Sequence, residues 1–125
     1  MIELNVADVW REDDGVVWMR FKPCDSHTLE DAIAVVKAHN DLADEEQIPV
    51  IADIREVSVG ADRQAREYYV SEESSRLKLG MAMLVKSPMQ RMLGNVFFRI
   101  NRPPYPSKMF SDESKALSWL GGLRG

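Results

Sequence analysis

One short apolar run constrains the fold of this chain more than any other stretch. Residues 50–54 are almost unbroken in apolar, largely β-branched side chains, and the run is too short for a helix of ordinary length. Such a run is typical of a strand buried on both faces, as in a parallel sheet that helices cover. Segments with helical periodicity precede and follow it. The run therefore predicts the central strand of an α/β protein.

Turn residues, cap residues and apolar periodicity predict the other elements. Alternating apolar residues on both sides of an Asp-Gly turn at residues 14–15 predict an opening antiparallel hairpin, with its first strand over residues 2–10 and its return strand over residues 16–21. Four residues suitable as N-caps predict the helix starts: Thr28, Asp62, Ser87 and Ser111. The second helix is predicted over residues 63–77, with Gly80 as its stop. A second continuous apolar run at residues 81–85 predicts another buried parallel strand.

These elements predict a definite order and sheet type. The order β-β-α-β-α-β-α-β-α indicates a mixed, largely parallel five-stranded sheet with about four helices. We expect one domain over residues 1–125, with the helices mainly on one face or shared unevenly between two. The strongest amphipathic stripe runs from Met89 to Ile100, and its apolar side is expected to fill the space between helix and sheet.

Composition excludes some classes of function. The chain has 16 basic and 20 acidic residues and a net charge of −4, which argues against general binding to nucleic acid. Its one cysteine, Cys24, forbids an internal disulfide. No apolar run approaches the length of a membrane span, so no membrane insertion is expected. The N-terminal residues have no signal-peptide pattern, and a cytoplasmic location is predicted.

Few residues suggest metal or cofactor chemistry. Cys24 and His27 share a loop, and His39 is the only other histidine. Because a structural zinc site uses four such ligands, three Cys and His residues in all favour a solvated loop over a metal site. No glycine-rich phosphate loop follows either buried strand. We therefore expect no metal, no cofactor and no catalytic residue.

The element order and five soft motifs resemble a known family. The motifs lie at residues 50–55, 66–68, 93–98, 106–110 and 116–120 and include Val-Ile-Ala-Asp-Ile-Arg and Leu-Gly-Asn-Val-Phe-Phe. With these motifs the chain resembles the STAS domain, which is the fold of anti-sigma-factor antagonists and of the cytoplasmic domain of sulfate transporters. It looks closer still to an uncharacterised bacterial STAS-like family.

The resemblance implies a site after the central strand. In the antagonists a strand ends in Asp, and the following loop presents a phosphorylatable Ser in an Asp-Ser-Ser-Gly type of motif. Asp53 matches the strand-end Asp, but the motif is missing, the acceptor position falls near Asp62 or Arg63, and Ser58 comes a few residues too early. An Asp62 carboxylate could imitate a phosphoserine, but a role as the N-cap of the next helix is the simpler explanation. The candidate binding residues are Asp53, Arg55, Ser58, Asp62, Arg63 and Arg66.

Three functions remain open, and each predicts a different structure. The first is a non-enzymatic regulatory module that binds an unidentified protein, alone or as a homodimer; it predicts a packed core and an exposed apolar patch at Tyr68, Tyr69 or Trp18. The second is a carrier of an apolar small molecule or lipid; it predicts an enclosed cavity of a few hundred Å³ between the residue 89–100 helix and the sheet. The third is an enzyme that uses Asp53 or His27. The candidate residues of the carrier pocket are Met81, Met83, Met89, Met92 and Phe97.

Overall fold

The computed structural model describes residues 1–124 and shows six strands and five helices among them. The strands are β1 (Ile2–Glu3), β2 (Ala7–Arg11), β3 (Val17–Phe21), β4 (Ile48–Asp53), β5 (Lys78–Leu84) and β6 (Ser107–Phe110). The helices are α1 (Leu29–Ala43), α2 (Arg63–Tyr69), α3 (Glu72–Ser75), α4 (Pro88–Asn101) and α5 (Glu113–Leu123). The predicted α/β class is confirmed.

The six strands form one mixed sheet in the order β1-β2-β3-β4-β5-β6. The first three pair antiparallel, and β3 to β6 pair parallel. Right-handed crossovers between consecutive parallel neighbours place α1 to α4 on one face, while α5 packs on the other face against β5 and β4. Helices thus cover both faces of the sheet, and every residue of β4 is buried, as the sequence predicts for the central strand.

The two faces of the sheet carry two separate apolar cores. Alternation along β3 sends Val17 and Met19 into the core beneath α1 and sends Trp18 into the core beneath α5. The capping box of α1 is formed as its sequence suggests, because Thr28 and Asp31 each accept a hydrogen bond from the other's backbone N–H. Asp62 and Ser87 also cap their helices as predicted. The last helix is capped by Asp112 and not by the predicted Ser111.

The first predicted strand is wrong in one respect, since residues 2–10 form two strands. The Leu4 N–H donates to the Ala7 carbonyl at 2.9 Å, which turns the chain so that β1 folds back antiparallel on β2. The alternation of apolar residues continues through this turn, and the sequence pattern therefore hides it. This extra strand raises the number from the predicted five to six.

The predicted helix over residues 63–77 is also wrong, because it divides into α2 and α3. Ser71 lies between them, donates its hydroxyl to the Tyr68 carbonyl and accepts the Ser74 N–H. The prediction that Gly80 ends this helix is also wrong, because Gly80 lies inside β5 opposite Pro49. A Cβ at Gly80 would overlap Leu123 of α5 and would lie 3.1 Å from the Pro106 carbonyl oxygen. The glycine allows α5 to approach the sheet closely.

Helix α4 differs most from expectation. Its apolar stripe was expected to face the sheet, but four of its members are exposed, by 45% at Met89, 59% at Met92, 41% at Val96 and 69% at Ile100. The residues of α4 that are fully buried are Gln90 and Gly94. The two buried residues of α4 are thus a polar side chain and a glycine, and the helix does not fully cover the sheet beneath it.

Candidate functional site

A cavity of about 140 Å³, half open to solvent, lies between α4 and the sheet. We call it the α4 cavity. Its floor is formed by β3, β4 and β5, and its walls are formed by α2, α4 and the loop that follows β4. Its lining residues are almost all apolar and include Met19, Phe21, Ala52, Met81, Met83 and Phe97.

Helix α4 is attached at its start to the loop after β4, and four later residues of the helix line the cavity: Leu93, Gly94, Val96 and Phe97. The Gln90 side chain donates to the carbonyls of Arg55 at 2.7 Å and Val57 at 3.2 Å, and accepts the Lys86 N–H at 2.8 Å. These bonds fix the first turn of α4 to the loop after β4. Further along, the backbone of α4 lies close to two methionines at Gly94, where a Cβ would approach the sulfur atoms of Met109 at 2.6 Å and Met83 at 3.0 Å.

Few polar groups line the α4 cavity, and two of them form a neutral pair. The His27 Nε2 and Tyr69 hydroxyl lie 2.6 Å apart. Burial lowers the pKa of His27 and raises the pKa of Tyr69 well above its ordinary value, so both are uncharged near neutral pH. This pair adds hydrogen-bonding capacity without adding charge.

Two cations also line the cavity. Arg66 donates to the Ala61 carbonyl at 2.7 Å, while its buried Nε has no protein partner. Lys78 is 3% exposed, and its ammonium donates to the Ser74 carbonyl and, at 3.1 Å, to the Ser74 hydroxyl. Burial lowers the pKa of Lys78 to about 7. The cavity therefore combines an apolar lining with positive charge.

The buried histidine near Lys78 stays neutral. His39 is fully buried on α1, and its Nδ1 pairs with Asn40 at 2.9 Å. Burial, together with the positive charge of Lys78, lowers the pKa of His39 to about 3. Because His39 is neutral, it places no second positive charge beside the Lys78 ammonium.

Asp53 is held by two arginines at the end of β4. One carboxylate oxygen accepts the backbone N–H and Nε of Arg55 at 3.1 and 3.0 Å, and the other accepts an Arg55 terminal N–H at 2.9 Å and the Arg20 Nε at 3.2 Å. Burial alone would raise the pKa of Asp53, but the bonds to Arg55 and Arg20 hold it below its ordinary value. Four donors occupy this carboxylate, which fixes the conformation of the loop that begins at Arg55.

The other predicted binding residues do not form one cluster with Asp53. Asp62 is the N-cap of α2 and accepts the Ala65 N–H at 2.9 Å. Arg63 pairs with Glu67 at 3.0 Å on the exposed side of the same helix, and Ser58 is exposed in the preceding loop. Of the six, Arg66 is the residue that lines the α4 cavity.

Three of the five predicted pocket residues line the α4 cavity. They are Met81, Met83 and Phe97. Met89 and Met92 lie on the exposed side of α4 instead. Sequence reasoning missed Lys78, His27 and Tyr69 as lining residues. The available signal for Lys78 was its position, three residues before the apolar run at residues 81–85.

Two further observations concern metals and membranes. Among residues 1–124 no three His, Cys, Asp or Glu side chains come close enough together to hold a metal ion. His27 bonds with Tyr69, and Cys24 is a free thiol whose pKa burial raises. No helix within the described part of the chain has the length and hydropathy needed to span a bilayer.

Comparison with solved structures identifies the fold. The chain is similar to an uncharacterised protein of the DUF3478 family from Shewanella loihica PV-4, described as having a SpoIIAA-like fold, with a TM-score of 0.64 and 18% identity over 96% of this chain and 99% of that chain. A protein of unknown function from Arthrobacter sp. FB24 shows 23% identity over 91% of this chain and 98% of that chain, but its TM-score of 0.32 is too low to argue from. The predicted STAS-like fold is thus confirmed.

Comparison with protein families places the chain without naming an activity. No curated protein matches the chain. A family model described as "Domain of unknown function (DUF7793)" matches residues 9–124. The matched range includes β3 to β6 and all the residues named above as lining the α4 cavity. The chain therefore belongs to the DUF7793 family.

Proposed function

We propose that this protein binds a small apolar molecule in the α4 cavity and acts as a carrier or sensor of that molecule without transforming it. The observation that carries the proposal is the cavity itself, which lies between the residue 89–100 helix and the sheet, as the carrier hypothesis predicts. It differs from that prediction in being open to solvent and smaller than a few hundred Å³. Its volume of about 140 Å³ is close to that of apolar protein cavities which bind a molecule the size of benzene. Its opening to solvent gives a longer ligand room to extend.

The chemistry of the lining supports an apolar ligand. Three methionines line the sheet side of the cavity, Met19 and Met83 on either side of Ala52 and Met81 two residues before Met83. Methionine side chains are flexible and polarisable, so they adapt to apolar ligands of different shape. Two of the three residues that the interaction hypothesis named for an exposed patch are not exposed, since Trp18 is buried beneath α5 and Tyr69 faces the cavity, while Tyr68 is half-buried.

The proposal predicts that 1-octanol binds to the purified protein and that filling the cavity abolishes binding. Burial of roughly seven methylene groups at about 0.8 kcal/mol each corresponds to a dissociation constant on the order of 0.1 mM. Ala52 lies on the cavity floor, and Ala52→Leu places three additional carbon atoms there. We expect this variant to bind octanol at least tenfold more weakly in isothermal titration calorimetry.

The matched control is Met92→Leu, which changes an exposed residue on the outer side of α4. This variant should bind octanol within twofold of the unaltered protein, and circular dichroism should show that both variants are folded. Absence of binding to the unaltered protein, or equal binding by Ala52→Leu, would contradict the proposal.

Protein interaction remains a second candidate, because the outer face of α4 is unusually apolar. Met89, Met92 and Ile100 lie on this face at helical spacing and are exposed, and the partly exposed Val96 lies between this face and the α4 cavity, which it also lines. Two copies of the chain that pair through this face would bury both stripes. We expect sedimentation equilibrium to show a dimer that Met92→Glu converts to a monomer, whereas Glu67→Gln on exposed α2 leaves it unchanged. A monomer at 100 µM before any substitution would rule out this pairing.

A further inference from the structure

The wall of the α4 cavity contains a buried cation that the described protein does not neutralise. Lys78 is 3% exposed and lines the cavity at the start of β5. The acceptors found for its ammonium are the carbonyl and the hydroxyl of a single residue, Ser74. Within residues 1–124 no carboxylate oxygen lies within 4.0 Å of it. Since an ammonium has three N–H donors and Ser74 supplies two acceptors, one donor has no acceptor among the described residues.

Burial of an unpaired charge is unfavourable, and the cavity offers a way to compensate it. Transfer of a charged group out of water costs free energy unless an opposite charge and hydrogen bonds replace the lost hydration. A carboxylate supplies both, because it carries a negative charge and accepts short, charge-assisted hydrogen bonds from an ammonium. The remaining lining is apolar, so the rest of such a ligand would be apolar as well.

We infer that the ligand of the α4 cavity is an amphiphile with a carboxylate head, which pairs with the Lys78 ammonium, and an apolar body, which lies along Met81 and Met83 toward α4. This inference rests on the proposed function and deepens it by naming the ligand class. Lys78, Met81 and Met83 line the same cavity from one strand. At about 3.3 Å per strand residue, they extend over roughly 15 Å, which is long enough for an eight-carbon chain.

Among the described titratable groups in and around the cavity, Lys78 is the one that changes charge near neutral pH. His27 has a lowered pKa and is neutral, and Tyr69 has a pKa raised well above 10.0. On α1, His39 has a pKa of about 3 and is neutral as well. Arg66 on α2 is the other basic residue of the lining. Arg66 is therefore the one competing site for a carboxylate, and it serves as the matched control.

The test compares 1-octanol with octanoate, which have the same chain length and differ in the head group. Titration calorimetry at pH 6.5, where Lys78 is protonated, should show octanoate binding at least tenfold more tightly than octanol. Lys78→Met should remove this preference and leave octanol affinity within threefold, and Lys78→Gln serves as a second variant should Met disturb folding. Arg66→Met should retain the preference.

Proton uptake gives an independent readout. Pairing with a carboxylate favours the charged form of Lys78, so at pH 8 octanoate binding should take up close to one proton, measured in two buffers of different ionisation enthalpy. Lys78→Met should take up none. The inference is overturned if octanol and octanoate bind equally, or if Arg66→Met rather than Lys78→Met removes the preference. If neither octanol nor octanoate binds to any variant, both the proposed function and this inference fail. If octanol binds and octanoate binds no more tightly, the inference fails and the proposed function stands.

Discussion

Replacement of Lys78 by Met is expected to increase the free energy of unfolding by about 2 to 3 kcal/mol at pH 6. The pKa of this lysine falls from 10.5 to about 7 on folding, and each unit corresponds to about 1.4 kcal/mol. The buried ammonium therefore costs on the order of 5 kcal/mol when it is fully protonated. Met has a similar length and no charge, but it loses the two hydrogen bonds to Ser74, which offsets part of the gain.

The sign of the pH dependence identifies the cause. Below pH 7 Lys78 is protonated in both the folded and the unfolded state, and the cost is fully present. Between pH 7 and 10.5 the unfolded state binds the additional proton, so the unaltered protein gains stability as the pH rises. The advantage of Lys78→Met should therefore shrink by about 1.4 kcal/mol for each pH unit from 7 to 9.

Urea unfolding followed by tryptophan fluorescence at pH 6, 7, 8 and 9 measures this difference. The other titrating groups are common to both proteins and cancel when the two are subtracted. Lys37→Met is the control, since Lys37 is exposed and pairs with Asp41 one helical turn away. It should change stability by less than about 0.5 kcal/mol at every pH. A constant difference between Lys78→Met and the unaltered protein would show that Lys78 does not titrate near 7.

The buried strands could be predicted because their pattern has one physical interpretation. A short, continuous apolar run can satisfy its backbone hydrogen bonds and bury both faces only inside a sheet covered by helices, and residues 50–54 and 81–85 do so in β4 and β5. The caps at Thr28, Asp62 and Ser87 could be predicted because each is a local contact between a side chain and the backbone three residues later.

The orientation of α4 could not be predicted, because periodicity identifies an apolar stripe and not the surface that the stripe meets. Leu93 and Phe97 face the cavity, whereas Met92 and Ile100 face solvent, so apolar residues occupy both sides of the helix. The position of α4 depends on Gln90, whose bonds to Arg55 and Val57 join residues more than 30 positions apart. Such long-range pairs leave no mark in the local pattern.

Lys78 escaped prediction for a related reason. A lysine next to an apolar strand is ordinarily an exposed end residue, since lysine is rarely buried without a partner. Its burial follows from the division of the predicted second helix into α2 and α3, which places Ser74 above the start of β5. The division also begins β5 at Lys78, three residues earlier than predicted. The wrong prediction of one helix is therefore the reason why the sequence did not place Lys78 in the candidate site.

Replacement of Asp53 by Ala is expected to lower the free energy of unfolding by about 3 kcal/mol. The substitution removes two charged hydrogen bonds from Arg55 and one from Arg20, and it leaves the Arg55 backbone N–H without its acceptor. The same loop supplies the carbonyl oxygen that binds Gln90, so Asp53 also helps to fix the start of α4. Asp53→Asn retains an acceptor for the backbone and should cost less, about 1 to 2 kcal/mol.

The pH profile distinguishes this structural role from a role in chemistry. The pKa of Asp53 is lower in the folded state than the unfolded value of 3.8, so its contribution is present above pH 3.8 and is lost as the pH falls through the folded value. The deficit of Asp53→Ala should therefore stay constant from pH 5 to 8 and decrease below pH 3.8. Asp41→Ala, at an exposed helix position, should cost less than about 0.5 kcal/mol. If Asp53→Ala unfolds like the unaltered protein, the carboxylate does not stabilise the loop, and the strand-end Asp then becomes a candidate for direct contact with a ligand or partner.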